Sequence, residues 1–229
     1  MKKVAILQSN YIPWKGYFDI IGSVDEFILY DDMQYTRRDW RNRNKIKTPQ
    51  GLQWLTIPVE VKGKFFQKIN ETKVTGHDWV DSHWKSICLN YAHAECFGQY
   101  RDRIEHVYEQ CREEDYLSRI NYLFLTEICD ILGIKTKITW SSDYDLVDGK
   151  TERLVGLVKD AGGDYYLSGP AAKDYIVPEL FEEAGIELAW MDYSGYPEYR
   201  QMHGAFEHSV TILDLIFNEG DQARRFMKT

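Results

Sequence analysis

The stretch Asp31-Asp32-Met33-Gln34-Tyr35-Thr36-Arg37-Arg38-Asp39-Trp40-Arg41-Asn42-Arg43-Asn44-Lys45-Ile46-Lys47 gathers more reactive and ligand-binding side chains than any other part of the chain. Residues 34–47 hold six of the 28 Lys and Arg, although the protein carries a formal charge of −8. A guanidinium is a planar fork that grips phosphate or carboxylate with paired hydrogen bonds. Arg38, Arg43 and Lys47 are therefore the candidate phosphate ligands. Tyr35 and Trp40 are candidate stacking surfaces, and Gln34 and Asn42 candidate polar contacts. A self-repelling block of this kind implies an anionic or strongly polar partner; the alternative is a solvated charged face. Asp31 and Asp32 point to opposite sides of an extended chain, so they should not share a role. Asp32, with Asn44 and Gln8, is expected to orient the reacting groups. Magnesium on one of the aspartates stays open as a cofactor, but two carboxylates without a further acidic ligand make a sparse donor set.

A second candidate region is the loop Gln8-Ser9-Asn10-Tyr11-Ile12-Pro13-Trp14-Lys15-Gly16. Gln8, Asn10 and Tyr11 offer neutral hydrogen-bonding groups, Trp14 a stacking surface, and Gly16 room for close backbone approach. A helix starting near Gly16 would aim amides at the same space, which favours an anion. The spacing matches neither a P-loop nor a Gly-x-Gly-x-x-Gly fingerprint. Ser168-Gly169-Pro170 has a strand-to-helix geometry that can aim a hydroxyl and amides at phosphate, without the Gly-x-Ser-x-Gly elbow of a serine hydrolase. His83 is the general-base candidate, with a satisfied, half-buried histidine as the alternative. His77 and His83 do not form a zinc motif. Of His203 and His208, His203 is the better functional candidate.

These groups need elements to position them. Lys3–Leu7 reads as a buried strand, Tyr17–Ser23 as a helix and Asp25–Tyr30 as a second strand, a βαβ opening that predicts a parallel sheet. The 8–16 loop and the 31–47 segment then open on the carboxyl edge of the sheet, where open α/β sheets bind ligands. Gln53–Val59 reads as a strand near an edge because of Pro58, with another around Thr72–Val74. The period is helical from Trp79 to about Leu132, with stripes Trp84, Ile87, Cys88, Tyr91 and Ile104, Val107, Tyr108, Cys111. Further expected elements are a strand over Lys135–Thr139, a helix over Glu152–Ala161, and a strand over Asp164–Leu167. A helix from Ala171, a strand over Ile186–Met191 and a final helix over Phe206–Asn218 complete the reading. The expectation is one α/β domain over residues 1–229, with 77–132 as a helical insert or cap.

Composition narrows the class. The 229 residues are 44% hydrophobic and 28% charged, with a mean hydropathy of −0.48. No run approaches a membrane span. The apolar run Val4–Leu7 is too short for a secretory core of about 7–15 residues. Four cysteines without Cys-x-x-Cys spacing fit reduced thiols in a cytoplasmic protein. A sequence pI of about 5.3 argues against nucleic acid as a partner, but allows a small phosphorylated ligand in a local basic pocket.

The segment Gln8-Ser9-Asn10-Tyr11-Ile12-Pro13-Trp14-Lys15-Gly16-Tyr17-Phe18 resembles the opening of the WbqC-like proteins. So do Asp32 to Lys47 with Trp54-Leu55-Thr56-Ile57-Pro58-Val59, and, further on, His83…Tyr91 and Tyr166-Leu167-Ser168-Gly169…Tyr175. Tyr199-Arg200-Gln201…Phe206…Ile212-Leu213-Asp214-Leu215-Ile216-Phe217-Asn218 continues the match almost to the end, with Ser9 standing where the family pattern has proline. The resemblance implies a place in O-antigen, lipopolysaccharide or other surface-polysaccharide biosynthesis, with a nucleotide-linked sugar or another phosphorylated small molecule as partner. It adds Tyr17, Ser168, Gly169 and Tyr175 to the expected substrate contacts. The opening is also similar, more loosely, to the nucleotidylyltransferase-like α/β fold, though its His-x-x-His or His-x-Gly-His signature is absent. The leading expectation is a transferase modifying a nucleotide-linked amino or deoxy sugar. The alternatives are a metal-dependent nucleotidyl- or adenylyl-transferring enzyme and a non-catalytic sugar-nucleotide-binding accessory protein.

Overall fold

A computed structural model describes residues 1–229. Five parallel strands form one sheet: β1 (Lys3–Leu7), β2 (Glu26–Leu29), β5 (Lys137–Trp140), β6 (Tyr165–Ser168) and β7 (Glu187–Trp190). Their order is β5-β2-β1-β6-β7, so β1 is central. The chain steps outward from β1 to β2 and β5, then returns to place β6 on the other side of β1. Winding therefore reverses between β1 and β6. At such a point the connections leaving the two carboxyl ends diverge and open a crevice.

A parallel sheet buried on both faces needs continuous apolar strands, and Val4-Ala5-Ile6 and Phe27-Ile28-Leu29 supply them. Alternate residues serve opposite faces. Ala5, Phe27, Leu29 and Leu167 join the larger of two hydrophobic clusters. Val4, Ile6, Ile28 and Tyr166 join the smaller, under α5 (Thr151–Asp160) and α6 (Pro178–Glu183). The expected helical middle folds as α2 (Asp78–Tyr91), α3 (Phe97–Gln110) and α4 (Leu117–Ile131). Its buried stripes, Ile87 and Tyr91, Ile104 and Tyr108, Phe124 and Ile128, share the larger cluster with α1 (Lys15–Gly22) and α7 (Ile212–Glu219). The four cysteines are unpaired.

The basic segment 31–47 includes regular structure. From Arg43 onward it is a strand, β3 (Arg43–Thr48), paired antiparallel with β4 (Gly51–Thr56). The strand around Thr72–Val74 is reduced to isolated bridges, Val59 to Val74 and Lys73 to Tyr116. The last helix begins at Ile212 rather than Phe206, because the Thr211 hydroxyl accepts the Leu213 amide at 3.4 Å and caps it there.

One buried charge shapes the sheet. Glu26 is fully buried on β2 and accepts from Lys2 at 2.7 Å, Lys137 at 3.0 Å, the Thr139 hydroxyl at 3.0 Å and the Tyr144 phenol. Burial alone would push its carboxyl up, but these four donors bring it down to about 2.

Candidate functional site

The loop after β1 is built to hold still. Ile12 adopts φ 40, a left-handed backbone that a β-branched residue resists. Such strain costs on the order of 1–3 kcal/mol and persists only where neighbours over-determine it. Here the Asn44 side-chain amide donates to the Ile12 carbonyl at 2.7 Å and the Tyr11 carbonyl at 3.3 Å. The Tyr11 amide donates to the Trp40 carbonyl at 3.0 Å, and the Ile212 amide to the Pro13 carbonyl at 2.9 Å. Ser9 is fixed through its amide on Asp31 at 2.8 Å and its hydroxyl under Asn121 at 2.9 Å.

This rigid loop separates two cavities, and Asn10 lines both. The first, about 510 Å³, lies at the switch point between β1 and β6. Gln8, Asn10, Ser168, Gly169 and Tyr175 line it, together with the cations Arg41 and Lys150. Arg41 donates to the Asn10 side-chain carbonyl and sits 3.6 Å from an Asp39 oxygen. Its Nε is buried with no partner inside the protein, so the guanidinium keeps an unused donor.

The second cavity, about 520 Å³, is walled by Pro13, Trp14, Trp40, Asn44, Tyr193, Tyr196 and His208. Trp14 meets Tyr193 and Tyr196 edge-on at 5.4 and 5.5 Å. The buried Nδ1 of His208 has no hydrogen-bond partner. Burial, then the charge of Lys15, pushes the His208 imidazole below its ordinary pKa, so its neutral, proton-accepting form is favoured. Lys15 lies behind this wall, its ammonium 4.9 Å from the Tyr196 ring and 5.1 Å from the Tyr199 ring, donating to the Pro197 carbonyl at 2.9 Å. Burial lowers it to about 8, with Asp19 opposing.

Of the residues singled out from sequence, Gln8, Asn10, Trp14, Trp40, Asn44, Ser168, Gly169 and Tyr175 line these two cavities. The others have different partners. His83 lies in the core, 5% exposed, its Nδ1 2.9 Å from the Tyr11 phenol, which in turn meets the Tyr108 phenol at 2.7 Å. Burial brings its pKa down to about 4, against a smaller opposing effect of the Thr56 backbone. Neither His83 nor Tyr11 lines either of these two cavities, so we do not assign His83 the general-base role. Lys47 is buried and spends its ammonium on the Gln201 side chain at 2.8 Å and the Ala205 carbonyl at 2.5 Å. Arg43 lies 4.2 Å over the Trp54 ring and donates to the Arg38 carbonyl. Arg38 is exposed at φ 58.

Asn42 donates to the Ile57 carbonyl at 2.7 Å, Gln34 to the Phe65 carbonyl at 2.8 Å, and Tyr35 is buried. Asp32 accepts the Ser141 hydroxyl at 2.6 Å and lies 3.5 Å from Lys68. Asp31 accepts from Ser9 and Ser118. No three His, Cys, Asp or Glu side chains come together as a metal site. Gly16 is needed for a different reason from the one expected: a Cβ there would fall 2.3 Å from the Trp14 indole. Lys15, Gly16 and Tyr17 are buried, so the amide end of α1 is covered.

Sequence reasoning passed over Arg41, Lys150, Tyr193 and Tyr196, and ranked His208 below His203. Arg41 differed from its neighbours by no visible signal. Lys150 and the 193–208 segment reach the site only through long-range topology. His203, preferred on sequence, has its Nε2 3.0 Å from the Asn90 carbonyl instead.

The protein is similar to an uncharacterized protein of Mycobacterium tuberculosis, 52% identical over 228 residues, spanning 100% of this chain and 98% of that one. No solved structure matches it. A family model described as the WbqC-like protein family matches residues 8–226, and with that span the chain belongs to the WbqC-like protein family.

Proposed function

We propose that the protein is a cytoplasmic transferase that modifies a nucleotide-linked amino or deoxy sugar in the biosynthesis of O-antigen or another surface polysaccharide. The observation that carries this reading is the junction at Asn10 of a cationic cavity and an aromatic one. A sugar nucleotide has the same division: a diphosphate that calls for guanidinium and ammonium donors, and flat or apolar rings that call for aromatic walls. Arg41 and Lys150 take the phosphates, and Ser168 and Gly169 sit beside them at the end of β6. Trp14, Trp40, Tyr193 and Tyr196 take a ring. His208 lines the same wall with its neutral form favoured, and is the candidate to take a proton from a sugar amino or hydroxyl group bound there.

Calorimetric titration with nucleotide-linked amino and deoxy sugars, free nucleoside diphosphates and free sugars tests the reading. Nucleotide-linked sugars should bind most tightly. Arg41→Lys keeps the charge but loses the fork; one charged hydrogen bond is worth about 1.5–3 kcal/mol, so affinity should fall roughly ten- to hundred-fold. Saturable binding by none of these sugars would overturn the proposal, and binding of ATP with magnesium alone would favour nucleotidyl transfer.

A further inference from the structure

Residues 61–68, Val61-Lys62-Gly63-Lys64-Phe65-Phe66-Gln67-Lys68, present two phenylalanines to solvent. Phe65 is 72% and Phe66 82% exposed, and the rings meet edge to face at 5.0 Å. The loop that carries them is firmly bonded. Gln34 donates to the Phe65 carbonyl at 2.8 Å, Gln67 to the Glu60 carbonyl at 2.7 Å, Arg37 to the Val61 carbonyl at 3.0 Å, and the Tyr35 amide to the Gln67 carbonyl at 2.9 Å. The phenylalanines are thus held outward by their backbone. Paired exposed aromatics of this kind mark an interaction site.

The rim says what kind of partner fits. Lys62, Lys64 and Lys68 flank the pair along the chain, Arg37 is held to the loop through the Val61 carbonyl, and all four are exposed. Lys64 has Glu60 as an ion-pair partner and Lys68 has Asp32, whereas Lys62 and Arg37 form no ion pair. A cationic rim around an aromatic tip stands out on a chain of net charge −8. The combination of inserted aromatics and lysines at headgroup level is that of interfacial anchors, and basic side chains near an anionic leaflet are attracted to it.

We propose that the 61–68 loop docks the protein on an anionic lipid surface, with Phe65 and Phe66 entering the interface and Lys62, Lys64 and Arg37 facing the headgroups. The overall negative charge repels the rest of the molecule from the same surface, so docking has one orientation. The segment that braces the loop through Gln34, Tyr35 and Arg37 also supplies Trp40 and Arg41 to the two cavities. Docking therefore ties the candidate site to the bilayer surface. This inference goes beyond the proposed transfer reaction and is independent of its substrate.

Co-sedimentation of the full-length protein with vesicles tests it. Vesicles of phosphatidylglycerol and phosphatidylcholine should pull the protein down, pure phosphatidylcholine should not, and added salt should release it. Phe65→Ser/Phe66→Ser should abolish the binding while leaving thermal unfolding unchanged, since both side chains are exposed. Lys62→Gln should weaken partitioning roughly five-fold, as for one basic residue near the surface. No binding to the anionic vesicles, equal binding to neutral ones, or equal binding by the double variant would overturn the proposal. A concentration-dependent dimer that the double variant loses would assign the patch to a second copy, and also overturn it.

Discussion

The buried Tyr11–His83–Tyr108 cluster predicts a stability profile that depends on pH with a definite sign. His83 is brought down to about 4 in the fold, against 6.5 unperturbed. Above 6.5 neither folded nor unfolded chain protonates it, and its contribution is constant. Below 6.5 the unfolded chain takes up a proton that the fold refuses, so stability falls at about 1.4 kcal/mol per pH unit. The fall ends near pH 4, where the folded imidazole also charges. Over the whole window the loss is about 3 kcal/mol. The His83→Gln variant lacks this titration. At neutral pH it should be less stable than wild type by about 1–2 kcal/mol, because the partner of the Tyr11 phenol is altered. Towards pH 4 the order should reverse. Urea unfolding followed by tryptophan fluorescence at a series of pH values gives both curves, and the difference between them removes other titrating groups. A difference that stays flat with pH, or a folded-state imidazole that titrates near 6.5, would refute the burial argument and return His83 to consideration as a base.

Further outcomes follow from single contacts. Glu26→Gln should lower stability by up to about 3 kcal/mol at neutral pH, since a carboxylate held near 2 stabilises the fold above its ordinary 4.5. Its wild-type contribution should disappear as pH falls from 4.5 to 2, which chemical unfolding of both proteins measures. Asn44→Ala removes the donor that holds Ile12 and should cost about 1–3 kcal/mol. The same change should weaken sugar-nucleotide binding by calorimetry, because the loop between the cavities relaxes. Gly16→Ala inserts a methyl 2.3 Å from the Trp14 indole and should cost about 1–3 kcal/mol as overpacking, visible as a lower melting temperature and reduced ligand affinity.

The elements around the site were legible where local pattern and topology agree. A short apolar strand, a helix and a second apolar strand announce a parallel βαβ unit, and Gln8 and Ser168 fall at carboxyl strand ends in the structure. The charged segment was harder to read. Its cations looked like a phosphate surface, yet Lys47 is satisfied by Gln201 and a carbonyl, and Arg43 lies over an indole face with one donor on a carbonyl. Residue type cannot reveal that solution, because the partners lie far along the chain. Asn44 shows the same limit: its amide holds a strained backbone in place, a geometric need with no sequence signal. The aromatic wall from Tyr193 to His208 comes from a stretch without periodicity, and only the fold brings it against Trp14.

The central position of β1 has a consequence for how the chain is made. On one side β1 pairs with β2, which follows it closely; on the other, Lys3 and Val4 pair with Tyr165 and Tyr166. A ribosome adding about 5–20 residues per second needs roughly 10–30 seconds to deliver that second neighbour. Throughout that interval one edge of β1 has no strand beside it, and for most of it Val4, Ile6 and Ile28 have neither α5 nor α6 above them. The nascent protein is therefore most vulnerable to aggregation while its middle helices are being synthesised, and slow translation through α2–α4 prolongs that exposure.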